Sequence, residues 1–362
     1  DNDEADRKLR NDLADRFGKD ICVFIEFKDC KDANECLIKY GIQGIIESKN
    51  DFKQFPIEGV YTISDLSDSI IDMYHNGLDK GVSLQIEGFD LSIVKSYLTI
   101  ITGIPSHGKG ELIDYIIIQL RRLSNWKGAL FSPENEPTQL HFSKFCRKII
   151  GKHWEGENRI TLEELAMVEA YLDNYIFFIK PEKDFTLETI LNSVKDTHLR
   201  YGLDWYVIDP WNKLDHKYTT TETKYISESL DAIIRFNKVY NLHCFLVAHP
   251  TKINKDRQTG MFEIPNLYSI NGSSHFYNKA DNGITVYRDF QKGTTLIYRQ
   301  KVKFDHWGTT GVSEYYFDKK RLRYNPTQVF DTSNWINNSP ITLAEEMREY
   351  IDKKNEEPFE LF

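Results

Sequence analysis

The stretch from Leu98 to Leu112 constrains this chain more than any other: Leu-Thr-Ile-Ile-Thr-Gly103-Ile-Pro-Ser106-His107-Gly108-Lys109-Gly110-Glu111-Leu. An apolar strand pattern ends at Gly103, a tight loop closes on Gly108-Lys109, and a helical pattern starts at once. Such a junction aims backbone N–H groups and the positive end of a helix at one point, where a lysine reaches the outer oxygens of a bound phosphate chain. The competing reading is an ordinary glycine-rich turn, and the strand–loop–helix context favours the phosphate site. The pattern GxxxxGK[ST] is incomplete, because Gly110 stands where a serine or threonine hydroxyl normally ligates Mg²⁺. Cradling by the backbone and by Lys109 survives that change. The metal loses one inner ligand, which water can replace.

Around this loop, strands alternate with long helices. Strands are expected at 98–102, 128–132, 176–179, 205–209, 244–248, 283–287 and 294–301, and helices at 110–123, 139–150, 162–172, 187–201 and 221–240. Apolar strands separated by helices imply an α/β fold with a mainly parallel central sheet covered on both faces. Upstream the signals are smaller: a polar helix through Arg16, a short buried strand over 21–25, a helix over 32–40, and an amphipathic helix carrying Leu66, Ile70, Ile71 and Tyr74, capped by Ser64 and stopped by Gly77. The expected division is 1–57, a linker 58–90, a nucleotide-binding domain 91–330, and a polar tail 331–362 with a helix over 343–354.

Three carboxyl-edge residues join the loop. Asp209 ends the apolar run Trp205-Tyr-Val-Ile, where a carboxylate can hold Mg²⁺ or simply cap the strand. Glu134, following Ala129-Leu-Phe-Ser132, can orient a water toward the γ-phosphate, with Glu136 as an alternative and a solvated turn as the plain reading. His249 ends Cys244-Phe-Leu-Val-Ala248, a place for a phosphate sensor or a structural histidine.

Charge and composition exclude several classes. With 46 Lys+Arg against 55 Asp+Glu the net charge is −9, which argues against gripping duplex DNA by charge alone but not against a locally basic channel. A hydrophobic fraction of 40% and a charged fraction of 28% are those of a folded chain, not of a disordered one. No run is long enough to span a membrane and no leader pattern opens the chain. Five cysteines without a CxxC pair suggest neither structural zinc nor a disulfide framework, so a reducing cytoplasm, bacterial or phage-infected, is the expected location. The chain begins at Asp1 within a charged helical pattern and reads as a piece of a longer protein.

The order of motifs says more than any one of them. The series ITGIPSHGKGE, FSPENEP, WYVIDPWNKLDH, FLVAHP, IPNLYSINGSSHFYNKADNG and QKVKFDHWGTTG resembles the RecA-like hexameric replicative helicases. Within them it is most similar to the Twinkle-type and phage primase–helicase branch, relatives of the bacterial DnaB-type helicase, over about 88–324. Upstream, Asp1-Asn-Asp3-Glu-Ala and Cys30-Lys-Asp-Ala-Asn34-Glu resemble the end of a TOPRIM primase domain. The two-aspartate motif of that domain would fall on Asp1 and Asp3, with Asp6 in place of a usual glycine. The catalytic glutamate would precede the chain, so primase chemistry is not expected here.

The resemblance implies ATP and Mg²⁺ bound at the interfaces of a homo-oligomer, a ring of six, acting on single-stranded DNA and duplex in the 5′-to-3′ direction with replication proteins as partners. Gly103, Ser106, His107, Gly108, Lys109, Gly110 and Glu111 would form the nucleotide loop, Asp209 would support Mg²⁺, Glu134 would activate water and His249 would sense the γ-phosphate. A Lys-x-Arg pair inserted by the neighbouring subunit becomes Lys301 and Lys303, an ammonium in place of a planar guanidinium, with Arg299 as a substitute. DNA contacts fall on the loop 217–223 and on Asn271, Gly272, Ser273 and Lys279, both also readable as flexible turns. His275, Phe276 and Tyr277 would stack on bases or be buried beneath the loop. The helix at 64–73 would dock on a neighbour or fold back. A weakly hydrolysing nucleotide- and DNA-binding ring and a recombinase-like filament are the competing functions.

Overall fold

The computed structural model describes residues 4–27, 29–57, 59–216, 221–251, 253, 255, 262–270 and 274–339. The chain divides into two compact units, Asp1–Leu78 and Asp79–Phe362.

The first unit runs α1 (Glu4–Phe17), β1 (Val23–Phe24), α2 (Ala33–Asn50), β2 (Lys53–Gln54), a 3₁₀ turn (Ser64–Leu66) and α3 (Ser67–Asn76). Its centre is small: Ala14, Cys30, Cys36 and Phe55 are buried, and Phe24 packs on Phe55 with centroids 5.0 Å apart. The expected buried strand over 21–25 is only two residues long, and Ile21 is 74% exposed. It pairs with β2 alone, and a two-stranded ribbon this short cannot cover both of its faces. The helix expected at 32–40 continues to Asn50 through a kink at Gly41, whose φ of 66° is outside the helical region. Ser64 is not the cap of the linker helix. Thr62 and Asp65 cap it instead, the Thr62 N–H donating to Asp65 Oδ2 (2.7 Å) and the Asp65 N–H to Thr62 Oγ1 (3.3 Å). Gly77, with φ 80°, ends α3 as the sequence implies.

The second unit opens with the ribbon β3 (Val82–Ser83) and β4 (Ser92–Ile93). Then follow β5 (Leu98–Gly103), α4 (Lys109–Ser124), β6 (Gly128–Phe131), α5 (Thr138–Ile150), α6 (Leu162–Leu172), β7 (Ile176–Phe178), α7 (Leu187–Tyr201), β8 (Trp205–Ile208), α8 (Glu222–Tyr240) and β9 (His243–Val247). The last elements are α9 (Ser274–Lys279), β10 (Asn282–Asp289), β11 (Thr294–Lys301), β12 (Gly311–Asp318) and β13 (Arg323–Asn325). The sheet order is β13-β12-β11-β10-β5-β9-β8-β6-β7, parallel from β10 to β7 and antiparallel from β10 to β13. The sheet is thus mixed and largely parallel, in agreement with the α/β expectation.

Strand side chains alternate between two cores. Ile101, Leu130, Val207 and Phe245 face one core with Ile113, Ile116 and Ile117 of α4 and Phe145 and Ile149 of α5. Ile100, Phe131, Ile208 and Leu246 face the other with Ile190 and Val194 of α7 and Ile226, Leu230 and Ile233 of α8. Because both faces are covered, the central strands β5, β6, β8 and β9 are buried at every position and mostly apolar, with Thr99, Thr102 and His243 as buried exceptions, and each buried Ile or Leu is worth about 1.5–3 kcal/mol. Two features differ from expectation. The segment 274–279 is a short helix, not a loop, and the tail expected from 331 begins as core, with Trp335 and Ile336 each 4% exposed.

Candidate active site

The parallel strands β5, β8, β6 and β9 deliver their carboxyl ends to one sheet edge, and the loops that follow line a common cleft. At Gly103 and Gly108, which bracket the loop after β5, there is no room for a side chain. A Cβ on Gly103 (φ 150°) would sit 2.3 Å from the Val286 carbonyl oxygen, and one on Gly108 (φ 99°) 2.9 Å from Arg288 Nη2. Lys109 opens α4, 6% exposed, and its Nζ donates to the carbonyls of Gly103 (2.8 Å) and Ile104 (3.1 Å). Burial pulls its pKa down to about 8, against the opposing pull of Asp209 and Glu134. The result is a desolvated ammonium held at the mouth of a loop of N–H donors.

On the acidic side, Asp209 follows β8 and is 7% exposed. Burial pushes its pKa up to about 6; the Ser132 hydroxyl works the other way, and Asp114 and Glu134 add to the rise. Ser132 Oγ donates to Asp209 Oδ2 (3.1 Å), Asn135 Nδ2 donates to Ser132 Oγ (2.8 Å), and Lys144 Nζ donates to Asn135 Oδ1 (2.9 Å). Glu134 stands in the 3₁₀ turn Pro133–Asn135, its side chain 42% exposed, with Oε2 4.0 Å from His249 Nε2. Asn212 Oδ1 accepts from the His249 N–H (2.9 Å), while His249 Nε2 is buried without a hydrogen bond among the described residues. Burial, helped by Lys109, holds the His249 pKa below the ordinary histidine value, so the ring is neutral.

The other loop residues divide. Ser106 lines the cleft with φ 65°. His107 Nδ1 accepts the Arg288 N–H (2.9 Å), stitching the loop to β10, and burial followed by Lys109 and Arg288 takes its pKa to about 4. Glu111 lines the cleft, but its carboxylate is bound to Lys148 and to Lys144 (3.0 Å), in a buried cluster with Asp114 and His141. Gly110 has no left-handed backbone angle. A Cβ there would meet Asp209 Oδ2 at 3.5 Å and Asn135 Nδ2 at 3.8 Å, ordinary contacts.

The remaining expected residues lie elsewhere. Lys301 is at the far end of β11, opposite Gly283, with Nζ donating to the carbonyls of Tyr277 (2.8 Å) and Asn278 (3.2 Å). Lys303 pairs with Asp281 at 2.7 Å. Both are therefore at the sheet edge away from the phosphate loop. Arg299 is buried, donating to Thr309 O and Ser313 Oγ. Lys279 is tied to α8 through Ser227 O (2.9 Å), Ser227 Oγ (2.7 Å) and Asp231 (2.6 Å). Phe276 is buried, and Tyr277 stacks on Tyr268, 4.3 Å between centroids. Asn271, Gly272, Ser273, residues 217–220 and the 343–354 helix lie outside the described residues, as do Asp1 and Asp3.

Two contributors escape sequence reasoning. Arg288 is the penultimate residue of β10, beside the loop, its guanidinium 4.3 Å from the Phe317 ring centroid and its Nη2 buried without a hydrogen bond among the described residues. Ser132 touches Asp209. Ser132 follows an apolar strand as Asp209 does, whereas Arg288 lies within β10 and carries no comparable signal.

The donor set suits Mg²⁺ with a nucleotide. Among the described residues no group of three or more His, Cys, Asp or Glu is placed to hold a metal by itself. A single carboxylate at Asp209, with phosphate and water completing the shell, is the usual Mg²⁺ arrangement. Arg288 Nη2, without a hydrogen bond among the described residues, and the buried Lys109 are cationic groups that suit an anionic ligand.

No family model matches the chain. The Twinkle homolog protein, chloroplastic/mitochondrial, of Arabidopsis thaliana is 36% identical over 310 residues, covering 80% of this chain and 43% of that protein. The chain therefore spans less than half the length of that relative. The location in its name corrects the expectation of a cytoplasmic protein, since cysteine usage cannot tell one reducing compartment from another. No helix among the described residues is long and apolar enough to cross a membrane. A solved ATPase domain superposes with a TM-score of 0.61 at 14% identity, covering 74% of this chain and 99% of that one. A DnaB-like replicative helicase, solved in a study of its interactions with primase, gives 0.60 at 14% identity over 88% of this chain and 76% of that one. These likenesses carry no TOPRIM assignment for residues 1–57. The chain belongs to the DnaB-like, Twinkle-type family of RecA-like replicative helicase ATPase domains.

Proposed function

We propose that this chain is the ATP-driven motor of a replicative DNA helicase, translocating 5′-to-3′ along single-stranded DNA as a six-membered ring and unwinding duplex ahead of it. The observation that carries this reading is the convergence of Lys109, Asp209, Glu134 and His249 on one cleft. Lys109 exchanges its two carbonyl contacts for phosphate oxygens, and Arg288 Nη2 takes a further anionic oxygen or the base. Asp209 would hold Mg²⁺, which when bound neutralises charge on the phosphates. Glu134 orients the attacking water in line with the γ-phosphate and accepts its proton. His249, 4.0 Å from Glu134, registers the loss of that phosphate and passes it along the chain toward Thr251, whose N–H donates to Ser269 O (2.8 Å) beside the 271–279 segment.

Lys301 and Lys303 lie at the sheet edge away from the loop, which supports a role across a subunit boundary. Asn271, Gly272, Ser273 and the 217–223 loop are the proposed DNA contacts, and primase or other replication proteins are the proposed partners. Residues 1–57 remain our proposed TOPRIM remnant and are followed by a linker; the nucleotide-binding domain takes in Leu84 and Phe89 before its expected start at 91, and Trp335 and Ile336 after its expected end at 330.

Phosphate release from Mg²⁺·ATP in the presence of single-stranded DNA tests the reading. Turnover no greater than that of Asp209→Ala would sink it. A second reading, a weakly hydrolysing nucleotide- and DNA-binding ring, is favoured by Gly110 and by lysine at 301 and 303. It predicts tight ATP binding with turnover near that control.

A further inference from the structure

The phosphate loop lacks its hydroxyl, yet a hydroxyl touches the same carboxylate from a different strand. We propose that Ser132 Oγ is the inner hydroxyl ligand of Mg²⁺ in this site, replacing the serine or threonine that Gly110 displaces. The inference rests on the reading of the cleft as a Mg²⁺·ATP site and assigns the missing ligand within it.

Strand register brings Ser132 there. β6 and β8 are parallel neighbours with Phe131 opposite Ile208, so the residues that follow them, Ser132 and Asp209, leave the sheet edge side by side. Position is the second argument. A Cβ on residue 110 would lie 3.5 Å from Asp209 Oδ2 and 3.8 Å from Asn135 Nδ2. Ser132 Oγ lies 3.1 Å and 2.8 Å from those same two atoms. A side chain at 110 and the hydroxyl of Ser132 thus address one spot from two sides.

Valence completes the case. A serine hydroxyl has one proton to give and two lone pairs to offer. The proton goes to Asp209 and one lone pair takes the Asn135 N–H. One lone pair remains, beside the carboxylate assigned to the metal. The rotor is also fixed, because Asn135 is held at its other end by Lys144 (2.9 Å), which is itself paired with Glu111 (3.0 Å). Donating to the acidic anchor while keeping a lone pair for the metal is the task a loop hydroxyl performs in ordinary nucleotide sites.

The test is calorimetric binding of a non-hydrolysable ATP analogue to the full chain in EDTA, Mg²⁺ and Cd²⁺. Ser132→Ala should reduce the affinity gained from Mg²⁺ by about tenfold or more, leaving the EDTA affinity unchanged. Adding Gly110→Ser to that variant should restore the gain. Ser132→Cys should lose the Mg²⁺ gain and keep the Cd²⁺ gain, because a thiolate prefers the softer ion. Equal losses with both ions in Ser132→Cys would mean the hydroxyl only steers Asp209, and an unaltered gain in Ser132→Ala would mean it does neither; each overturns the proposal. Those results are distinct from failure of the nucleotide site itself, in which the unmodified chain binds the analogue no better than Lys109→Ala in any condition.

Discussion

Replacing Lys148 with methionine is the sharpest perturbation of the framework behind the cleft. Its side chain is 0% exposed, bonded to Glu111 and 3.5 Å from Asp114 Oδ2. At an effective dielectric near 20, one such pair attracts by about 5 kcal/mol. The desolvation of the lysine, which methionine does not incur, offsets part of that, and breaking a buried pair typically costs about 3–5 kcal/mol. We expect Lys148→Met to lose about 4 kcal/mol at pH 8, a large share of a domain stability of about 5–15 kcal/mol.

The pH dependence carries the diagnosis. Burial pushes both carboxyls up, but Lys148 beside Glu111, and His141 with Lys148 beside Asp114, bring them below the ordinary carboxylate range. Their contribution is therefore present above the unfolded pKa of about 4 and is lost as pH falls through the lower folded values. Without Lys148 burial is opposed only by Lys144 at Glu111 and by His141 with Lys144 at Asp114, so the carboxyls of the variant protonate more readily than those of the unmodified chain, and its deficit should shrink between pH 8 and pH 5. All six tryptophans lie between 126 and 335, so urea unfolding followed by tryptophan fluorescence reports this unit alone. Adding Glu111→Gln should recover more than half of the loss. A deficit below about 1 kcal/mol, or one that does not vary with pH, would refute the reasoning.

Three further outcomes are expected. Arg288→Ala should weaken ATP binding about tenfold by removing a charge-assisted contact of about 1.5 kcal/mol, without altering metal dependence, as calorimetry can check. Gly103→Ala should destabilise the fold by more than about 2 kcal/mol in the same urea assay, since its Cβ would meet a backbone carbonyl at 2.3 Å. Lys109, whose pKa burial lowers to about 8, is charged below that pH and neutral above it, so metal-free ATP affinity should fall between pH 7 and pH 9.5. That fall should vanish in Lys109→Met; an affinity flat across the range in the unmodified chain would contradict the assignment.

What the sequence reveals follows locality. β5, α4, β8 and β9 are legible because each is a continuous apolar or amphipathic run, and Lys109 is legible because its neighbours in sequence make its site. β12 escapes because only scattered positions of it are buried, which leaves no clean alternation. α9 escapes because a Gly-Ser-Ser-His opening reads as turn. Ser132 and Arg288 matter only through sheet adjacency, β6 to β8 and β10 to β5, which no spacing along the chain encodes. Thr62 replaces Ser64 as the cap because the choice depends on the side-chain exchange with Asp65, which starts two residues earlier than the pattern suggests.

The residues after the final strand set where this unit can be cut. Arg323, 1% exposed, donates to the carbonyls of Lys148 (2.7 Å), Asp331 (3.0 Å) and Ser333 (2.7 Å), and Trp335 lies 4.1 Å across its guanidinium. A truncation at residue 330 would strand that cation in an apolar interior and bare the flank of Tyr115, whose ring Trp335 covers at 5.3 Å. The smallest self-sufficient version of this unit must therefore be designed to run past Ile336, beyond the point where its last strand stops.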